Sequence, residues 1–374
     1  LPTNSLDGEV LLTNAQLKLS SRPVTGLRLN AELRYDERDN KTDVETYSYV
    51  FLDLDNRGID VSNRPYSFKK SRLKLDANYR INAISSIRGG YRYEEMERSY
   101  TDAEVEDTKE DTLHVKWKIK ANSTVDVSLL AEASSRIGDE YIPAQGENLA
   151  MRKYNMADRD RTKLGAIIDY MATDKLFLSA RAEYNKDDYI NTSVGLIEAT
   201  QPSYTVDFSY QPTHDITTYG YYTYEDIQSS QVSRSIPGST SFTNWQTDFS
   251  DTFDTIGLGA KFSNFGKWDV GADLSYSESN GEIDMIDRNA PGPQVVPYPD
   301  TKTELTSIKL WTTYRHNKQL SYKLGYWYEK YSADNWAVDD LTPYDPAREN
   351  ILLLGNETLD YDVYVVTMSA IYRY

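Results

Sequence analysis

Residues 72–81 read RLKLDANYRI, with apolar residues at every second position and charged or amide side chains between them. Residues 113–121, LHVKWKIKA, repeat the pattern, and after a short turn at 122–124 residues 125–133 continue it as VDVSLLAEA. Side chains along a β-strand point alternately to its two faces. Each stretch therefore predicts a strand with one apolar face and one polar face.

This hairpin unit recurs along the whole chain as two alternating strands joined by a short turn and followed by a long polar loop. Long antiparallel strands with short turns at one end and long loops at the other are typical of outer-membrane barrels. The expected fold is all-β, a transmembrane antiparallel up-and-down β-barrel that forms a single domain over residues 1–374. The segment 44–54 is a candidate for an extra short strand within a loop. About fifteen long strands are predicted, near residues 10–20, 26–35, 71–81, 85–97, 111–121, 125–135, 161–172, 176–189, 203–211, 216–229, 252–263, 268–279, 302–316, 320–332 and 360–374.

The composition excludes several other classes of protein. The net charge is −17, the mean hydropathy is −0.65, and no run of about eighteen apolar residues is present, which excludes a helical membrane protein. The chain has no cysteine, so it has no Cys-x-x-Cys-His site for covalent haem. No nucleophile, paired-carboxylate or phosphate-binding motif is found, and the anionic charge argues against nucleic acid. We therefore expect a protein that is not an enzyme and holds no metal or cofactor itself.

Tyrosines recur at a fixed distance from the short turns. Eight residues on from the first apolar-face residue after the turn there is a tyrosine in each hairpin except the one that begins at Val125, where Ala133 takes its place. At ~3.3 Å per residue and a tilt of about 40°, this distance spans roughly 20 Å along the membrane normal, comparable to the ~25 Å apolar band of such barrels. Tyrosine favours strands in general, but that preference fixes neither depth nor face. We predict a membrane girdle formed by Tyr35, Tyr93, Tyr184, Tyr224, Tyr276 and Tyr328.

The two ends of the chain carry separate indications. Short turns of outer-membrane barrels lie in the periplasm, so an odd number of strands would place the start of the first strand outside the cell. This predicts that the chain is the C-terminal portion of a larger barrel whose earlier strands are absent. At the other end, a polar, small, aromatic, aromatic spacing matches the signal read by barrel-assembly machinery, with serine replacing the usual glycine. Its members are Thr367, Ser369, Tyr372 and Tyr374, of which the two tyrosines are also candidate girdle residues.

Several motifs resemble those of one known family. They are RKYNMADRDR at 152–161, YNKDDY at 184–189, LGYWYEKY at 324–331, DNWA at 334–337, LGNE at 354–357, YDVYVV at 361–366 and YRY at 372–374. In this order they are similar to the MtrB/PioB family of decahaem-associated outer-membrane proteins. The resemblance is strongest from about residue 151 onward and weaker before it.

The resemblance implies a barrel of about twenty-six strands in the outer membrane of a Gram-negative bacterium. Such a barrel sheathes a periplasmic decahaem c-type cytochrome, and many also dock an extracellular multihaem cytochrome. Together they carry electrons between the periplasm and external acceptors or donors, in metal reduction or iron oxidation. The haem belongs to the partner, so no cofactor is expected on this chain. Family members are longer, and many carry a Cys-x-x-Cys motif that this chain lacks.

The polar faces of the strands are expected to line the lumen. A barrel with this many strands encloses a space too wide for its own side chains to fill, so water or another protein must occupy it. The residues alone favour the solvated pore of a diffusion porin or a substrate-specific channel; with the resemblance, the same face would contact the enclosed cytochrome. The predicted lumen residues include Arg28, Glu32, Arg34, Arg72, Lys74, Asp76, Arg80, Lys116 and Lys118.

Overall fold

A computed structural model of the chain describes residues 5–49, 59–99, 104–143, 148–234, 244–287, 298–338 and 360–373. No helix within these ranges is long and apolar enough to cross a membrane. The strands are β1 (Val10–Val24), β2 (Leu27–Asn40), β3 (Thr46–Tyr49), β4 (Ile59–Ser62), β5 (Phe68–Arg80), β6 (Ser85–Arg98), β7 (Asp107–Lys120), β8 (Val125–Gly138), β9 (Met151–Arg152), β10 (Arg159–Met171), β11 (Leu176–Asp188), β12 (Val194–Thr213), β13 (Ile216–Arg234), β14 (Asn244–Phe265), β15 (Trp268–Asp287), β16 (Thr301–Arg315), β17 (Leu320–Asp334) and β18 (Tyr361–Tyr372).

The long strands form one antiparallel sheet in which each strand pairs with its neighbours in chain order. The order is β1-β2-β5-β6-β7-β8-β10-β11-β12-β13-β14-β15-β16-β17-β18, and the two-residue β9 joins β12 in parallel. This up-and-down arrangement confirms the fold class and the strand order expected from the sequence. Within the described part of the chain β1 and β18 do not pair with each other, so the sheet is open at these two edges.

The extra strand predicted within 44–54 is present as β3, which pairs with β4 in a separate two-stranded sheet. The largest departures from the expected boundaries concern β12 to β15. Strand β12 begins at Val194 rather than near residue 203, and β15 continues to Asp287 rather than ending near 279. Residues such as Ser229, Ser230 and Asp248 make both faces polar here, so the apolar alternation ends while the backbone ladder continues. The extensions lie at the long-loop end of the sheet.

The register gives the sheet one apolar face and one polar face. On the apolar face, Trp117 lies opposite Ile87 on one neighbouring strand and Leu129 on the other. On the polar face, Lys74 lies opposite Glu32 and Arg92. The apolar side chains are largely uncovered, since Leu113 is 64% exposed and Val366 is 70% exposed. A continuous uncovered apolar face on a sheet of this length is what a lipid-facing wall requires.

Among the described residues, the buried apolar side chains lie at the long-loop end of the sheet; they are Val105, Met156, Ala157, Tyr189, Val194 and Val232. Some polar side chains, such as Asp76 and Ser128, are buried within the wall itself. Because no second layer packs on the sheet within the described part of the chain, this small apolar core belongs to the folded loops that cover its rim. The wall itself is held by its backbone ladder.

Leu129 and Leu130 provide a direct test of the two faces. They are adjacent in β8, but Leu129 lies on the apolar face opposite Ala166 and Leu130 lies on the polar face opposite Gly165. We expect Leu129→Arg to destabilise the protein in lipid vesicles by about 2–4 kcal/mol, because the charge would enter hydrocarbon near the middle of the strand. Leu130→Arg should cost less than about 1 kcal/mol, because that face is wet. Urea unfolding of the two variants measures the difference, and equal destabilisation would contradict the assignment.

Candidate functional site

The predicted lumen residues all lie on the polar face. Strand β2 carries Arg28, Glu32 and Arg34 at alternate positions, and the register sets Arg34 opposite Arg72 on β5. Across β6, the same face continues into β7, where Lys116 lies opposite Arg88. The face of β5 also carries Lys74, Asp76 and Arg80, and that of β7 carries Lys118. Their contact with an enclosed molecule remains a prediction.

Two carboxylates on this face, Asp76 and Glu94, are each shared by several basic side chains. Asp76 is buried and accepts hydrogen bonds or ion pairs from Arg88 (3.1 Å) and His114 (3.0 Å), with Lys74 Nζ at 3.6 Å. Glu94 on β6 pairs with Lys70 at 2.5 Å and with Arg72 at 2.8 Å. Because each of these two carboxylates contacts two lysine or arginine side chains, these networks leave positive charge in excess.

We call the polar face of β2, β5, β6 and β7 the basic wall. Its cations outnumber its carboxylates by more than two to one, although the whole chain has a net charge of −17. The carboxylates are Glu32, Asp36, Asp76, Glu94 and Glu110. The cations are Arg28, Arg34, Arg38, Lys70, Arg72, Lys74, Arg80, Arg88, Arg92, Arg98, Lys116, Lys118 and Lys120.

The polar face of β13 to β17 is built differently, and we call it the flat wall. Aromatic rings lie against glycines of the neighbouring strand, Tyr221 on Gly257 and Trp311 on Gly271, so closely that a β-carbon would clash with the ring. Trp327 donates a hydrogen bond to Ser307 (3.1 Å). Among the described residues of these strands, this face carries the cations Lys261, Lys309, Arg315 and Lys323 and the carboxylates Glu225, Asp251, Asp269, Asp273 and Glu329.

The six predicted girdle tyrosines lie on the apolar face, on the second strand of each hairpin. The Tyr35 hydroxyl donates to Glu37 (2.9 Å), Tyr276 to Glu278 (2.7 Å) and Tyr328 to Asp362 (2.9 Å). A charged residue follows two positions after each tyrosine on the same face, where the apolar stripe ends. These charged residues are Glu37, Glu95, Lys186, Asp226, Glu278 and Lys330. The girdle formed by Tyr35, Tyr93, Tyr184, Tyr224, Tyr276 and Tyr328 remains a prediction, and this boundary supports it.

The predicted barrel-assembly signal occupies the edge strand β18. Thr367 and Ser369 lie on the polar face, opposite Gly325 and Lys323 of β17. Tyr372 lies on the apolar face opposite Leu320, and Tyr374 lies outside the described residues. The signal is therefore divided between the two faces of the strand, and its role in assembly remains a prediction.

Folded loops form a cluster over the long-loop rim of β7 to β12. We call it the loop cluster, comprising residues 104–106, 139–142, 148–158 and 189–195. Arg136 of β8 holds the segment 148–158, since its guanidinium donates to the carbonyl oxygens of Ala157 (2.8 and 3.0 Å) and Tyr154 (2.6 Å). Asp158 accepts hydrogen bonds from the Gly138 amide (2.8 Å) and the Asn191 side chain (3.0 Å).

Charge pairs fix the strands beneath the loop cluster. Arg161 makes a bidentate contact with Asp187, both N–O distances being 2.5 Å, and Arg159 pairs with Glu110 at 2.8 Å. Bidentate arginine–carboxylate pairs hold both geometry and charge. Arg159, Arg161 and Asp187 belong to the motifs at 152–161 and 184–189, so two of the motifs that carry the family resemblance supply side chains to this rim.

Two further features close the loop cluster. Gly195 has a positive φ of 125° and lies against the Arg152 carbonyl, where a β-carbon would clash. In the loop before β7, burial opposes ionisation of Glu104, but its contact with Lys153 outweighs burial and holds the pKa of this carboxyl below its ordinary value. The sequence indicated the motif at 152–161 but not the role of Arg136. The acceptors of Arg136 are backbone carbonyls, which leave no pattern of side chains in the sequence.

Removing the Arg136 side chain should release the segment 148–158. We expect Arg136→Ala to leave the carbonyls of Tyr154 and Ala157 without donors, a loss of about 1.5–3 kcal/mol. Trypsin cleavage at Arg152 and Lys153 should then accelerate at least about tenfold, because cleavage follows the open population. Arg181→Ala is the matched control, since Arg181 also lies on the polar face but contacts no part of the cluster. Equal cleavage of the two variants would contradict the assigned role of Arg136.

Solved structures similar to this chain include an outer-membrane receptor, an iron transporter and a further outer-membrane protein. The siderophore receptor PirA from Pseudomonas aeruginosa aligns with a TM-score of 0.43 at 10% identity, covering 88% of this chain and 68% of that one. The FrpB iron transporter from Neisseria meningitidis aligns with a TM-score of 0.43 at 10% identity, covering 89% of this chain and 62% of that one. The outer-membrane protein OmpT of Vibrio cholerae aligns with a TM-score of 0.32 at 12% identity, covering 98% of this chain and 99% of that one.

Sequence comparison identifies the family. The model described as "Putative outer membrane beta-barrel porin, MtrB/PioB" matches residues 1–374. "Outer membrane protein MtrB" of Shewanella baltica (strain OS185) is 30% identical over 381 residues, which cover 100% of this chain and 52% of that protein. The chain thus spans about half the length of this curated relative. It is an outer-membrane protein, and it belongs to the MtrB/PioB family of outer-membrane β-barrel proteins, which is not an enzyme family.

Proposed function

We propose that this chain is part of an outer-membrane sheath that holds a periplasmic decahaem c-type cytochrome and insulates it from lipid during transmembrane electron transfer. The observation that carries the proposal is the highly charged polar face of a long antiparallel wall whose other face is apolar. Membership of the MtrB/PioB family supports the identity of the enclosed partner.

The dimensions of the wall suit an enclosed protein. With strands about 4.8 Å apart and tilted by roughly 40°, fifteen strands alone would close into a cylinder about 30 Å across between backbones. Side chains of the wall cannot fill a space of this width. The space must therefore hold water, a protein, or both.

The open edges require pairing partners. Backbone N–H and C=O groups at an unpaired edge cost several kcal/mol each in lipid, so β1 and β18 cannot both face hydrocarbon. We propose that additional strands complete the wall in the working protein, giving a barrel wider than the estimate above. The curated relative, of which this chain covers 52%, is long enough to supply them.

The division of labour follows from the residues. The chain has no cysteine and so no Cys-x-x-Cys-His site for c-type haem, and in this proposal the partner carries the haem. The apolar face keeps lipid around the conduit, and the polar face offers hydrogen bonds and ion pairs to the partner inside. On the outer side, the loop cluster offers a rigid rim on which an extracellular multihaem cytochrome would rest.

The second candidate function is that of a diffusion porin or substrate-specific channel. It is favoured by the ion pairs within the wall, such as Lys70–Glu94 and Arg161–Asp187, which leave those side chains satisfied without a partner. In that case water fills the lumen and the excess positive charge of the basic wall selects for anions.

Isolation of the tagged protein from outer membranes of its own organism tests the proposal. We expect a multihaem c-type cytochrome to remain bound through purification, with a haem absorbance that corresponds to about ten haems per barrel. In planar bilayers the same preparation should conduct ions poorly, because the partner fills the lumen. A preparation free of haem that conducts ions freely would overturn the sheath and favour the porin.

A further inference from the structure

We infer that the short-turn end of the basic wall, which lies on the periplasmic side, is the seat for an acidic surface of the protein enclosed by the barrel. We call this the basic strip, formed by Arg80, Lys116, Lys118 and Lys120. The inference rests on the proposed function and adds to it the chemistry and position of a contact between barrel and partner.

The basic strip lacks the internal neutralisation found around Asp76 and Glu94 in the middle of the basic wall. Farther from the turns, Glu94 and Asp76 are surrounded by cations that they already neutralise in part. By contrast, among the described residues no carboxylate lies within ion-pair distance of the four cations of the strip. Their charge is therefore available to an external anion.

The strip also has a defined shape. Arg80, Lys118 and Lys120 line a polar cleft of about 390 Å³ beside the turn at 82–84, and Asp126 and Asp169 line its other side. Along β7 the three lysines are spaced by about 7 Å, and Arg80 lies two strands away at roughly 10 Å. A patch of this size matches several carboxylates on a protein surface rather than one small anion.

Its position suits a partner that arrives from the periplasm. Strands β5 and β7 end at these residues, so the strip is the first part of the basic wall that such a partner meets. The four cations of the strip outnumber the two carboxylates across the cleft, Asp126 and Asp169, in a chain whose net charge is −17, so an acidic partner would be repelled by the chain in general and attracted here. This combination of repulsion and local attraction gives orientation as well as affinity.

The test uses charge reversal with a matched control. The strip variant combines Lys116→Glu, Lys118→Glu and Lys120→Glu in the intact protein. The control variant combines Lys261→Glu, Lys309→Glu and Lys323→Glu, which makes the same change in net charge on the polar face of the flat wall. Haem absorbance per purified barrel, followed over time after transfer to about 0.05 M or about 0.5 M salt, reports how fast the cytochrome is released and how much is retained. Heat-modifiability of the barrel on gels verifies that each variant has assembled.

We expect the strip variant to release the cytochrome at least about tenfold faster than the unmodified protein at the lower salt concentration, with the control variant close to the unmodified protein. The milder set Lys116→Gln, Lys118→Gln and Lys120→Gln should give a smaller increase in the same direction, and it replaces the glutamate set if that set fails to assemble.

The outcomes separate this inference from the proposed function. If the unmodified protein retains haem and the strip variants retain it equally well, the basic strip is not the seat and the sheath survives. Equal loss of cytochrome from the strip and control variants would also overturn the inference, because positive charge anywhere on the lumen face would then have the same effect. Both proposals would be overturned if the unmodified protein contained no haem and conducted anions selectively, and if the strip variant reversed that selectivity. The strip would then be the part of a pore that selects ions.

Discussion

Backbone hydrogen bonding in lipid is the constraint on which the rest of this structure depends. Hydrocarbon offers no partner to an N–H or C=O group, so each strand must find all of its partners in its neighbours. The chain meets this demand by pairing each long strand with the next, from β1 through to β18, with short turns at one end. Once this ladder exists, the side chains have only two directions available, and the apolar and polar faces follow from it.

The same constraint explains how so acidic a chain belongs in a membrane. Only one face of each strand meets lipid, and that face is apolar between the short turns and the predicted tyrosine girdle. Charge begins again two positions beyond each tyrosine, as at Glu37 and Glu278. The low mean hydropathy of −0.65 thus averages a narrow apolar band with a polar lumen face and with strands and loops that rise above the band.

The alternating pattern was sufficient to predict the strands, their order and their faces, because register is fixed wherever one face is apolar. It failed at the tops of β12 to β15, where both faces are polar and only the backbone ladder continues. The loop cluster was beyond such reasoning, because Val105, Met156 and Tyr189 come together from distant segments. The charges that give the basic wall its excess of cations can be read from the alternating sequence. Recognising the excess required the register, because the charges of adjacent strands must be counted together on one face.

The contrast between the basic wall and the flat wall has a consequence for the geometry of the proposed conduit. On β13 to β17, rings such as Tyr221 and Trp311 lie flat against glycines, so an enclosed body can approach the backbone closely. On β2 to β7, long lysine and arginine side chains keep the same body farther from the strands. A cytochrome held in such a barrel would lie closer to the flat wall than to the basic wall. The dielectric layer between its haems and the lipid would then be thinner on the side of the flat wall.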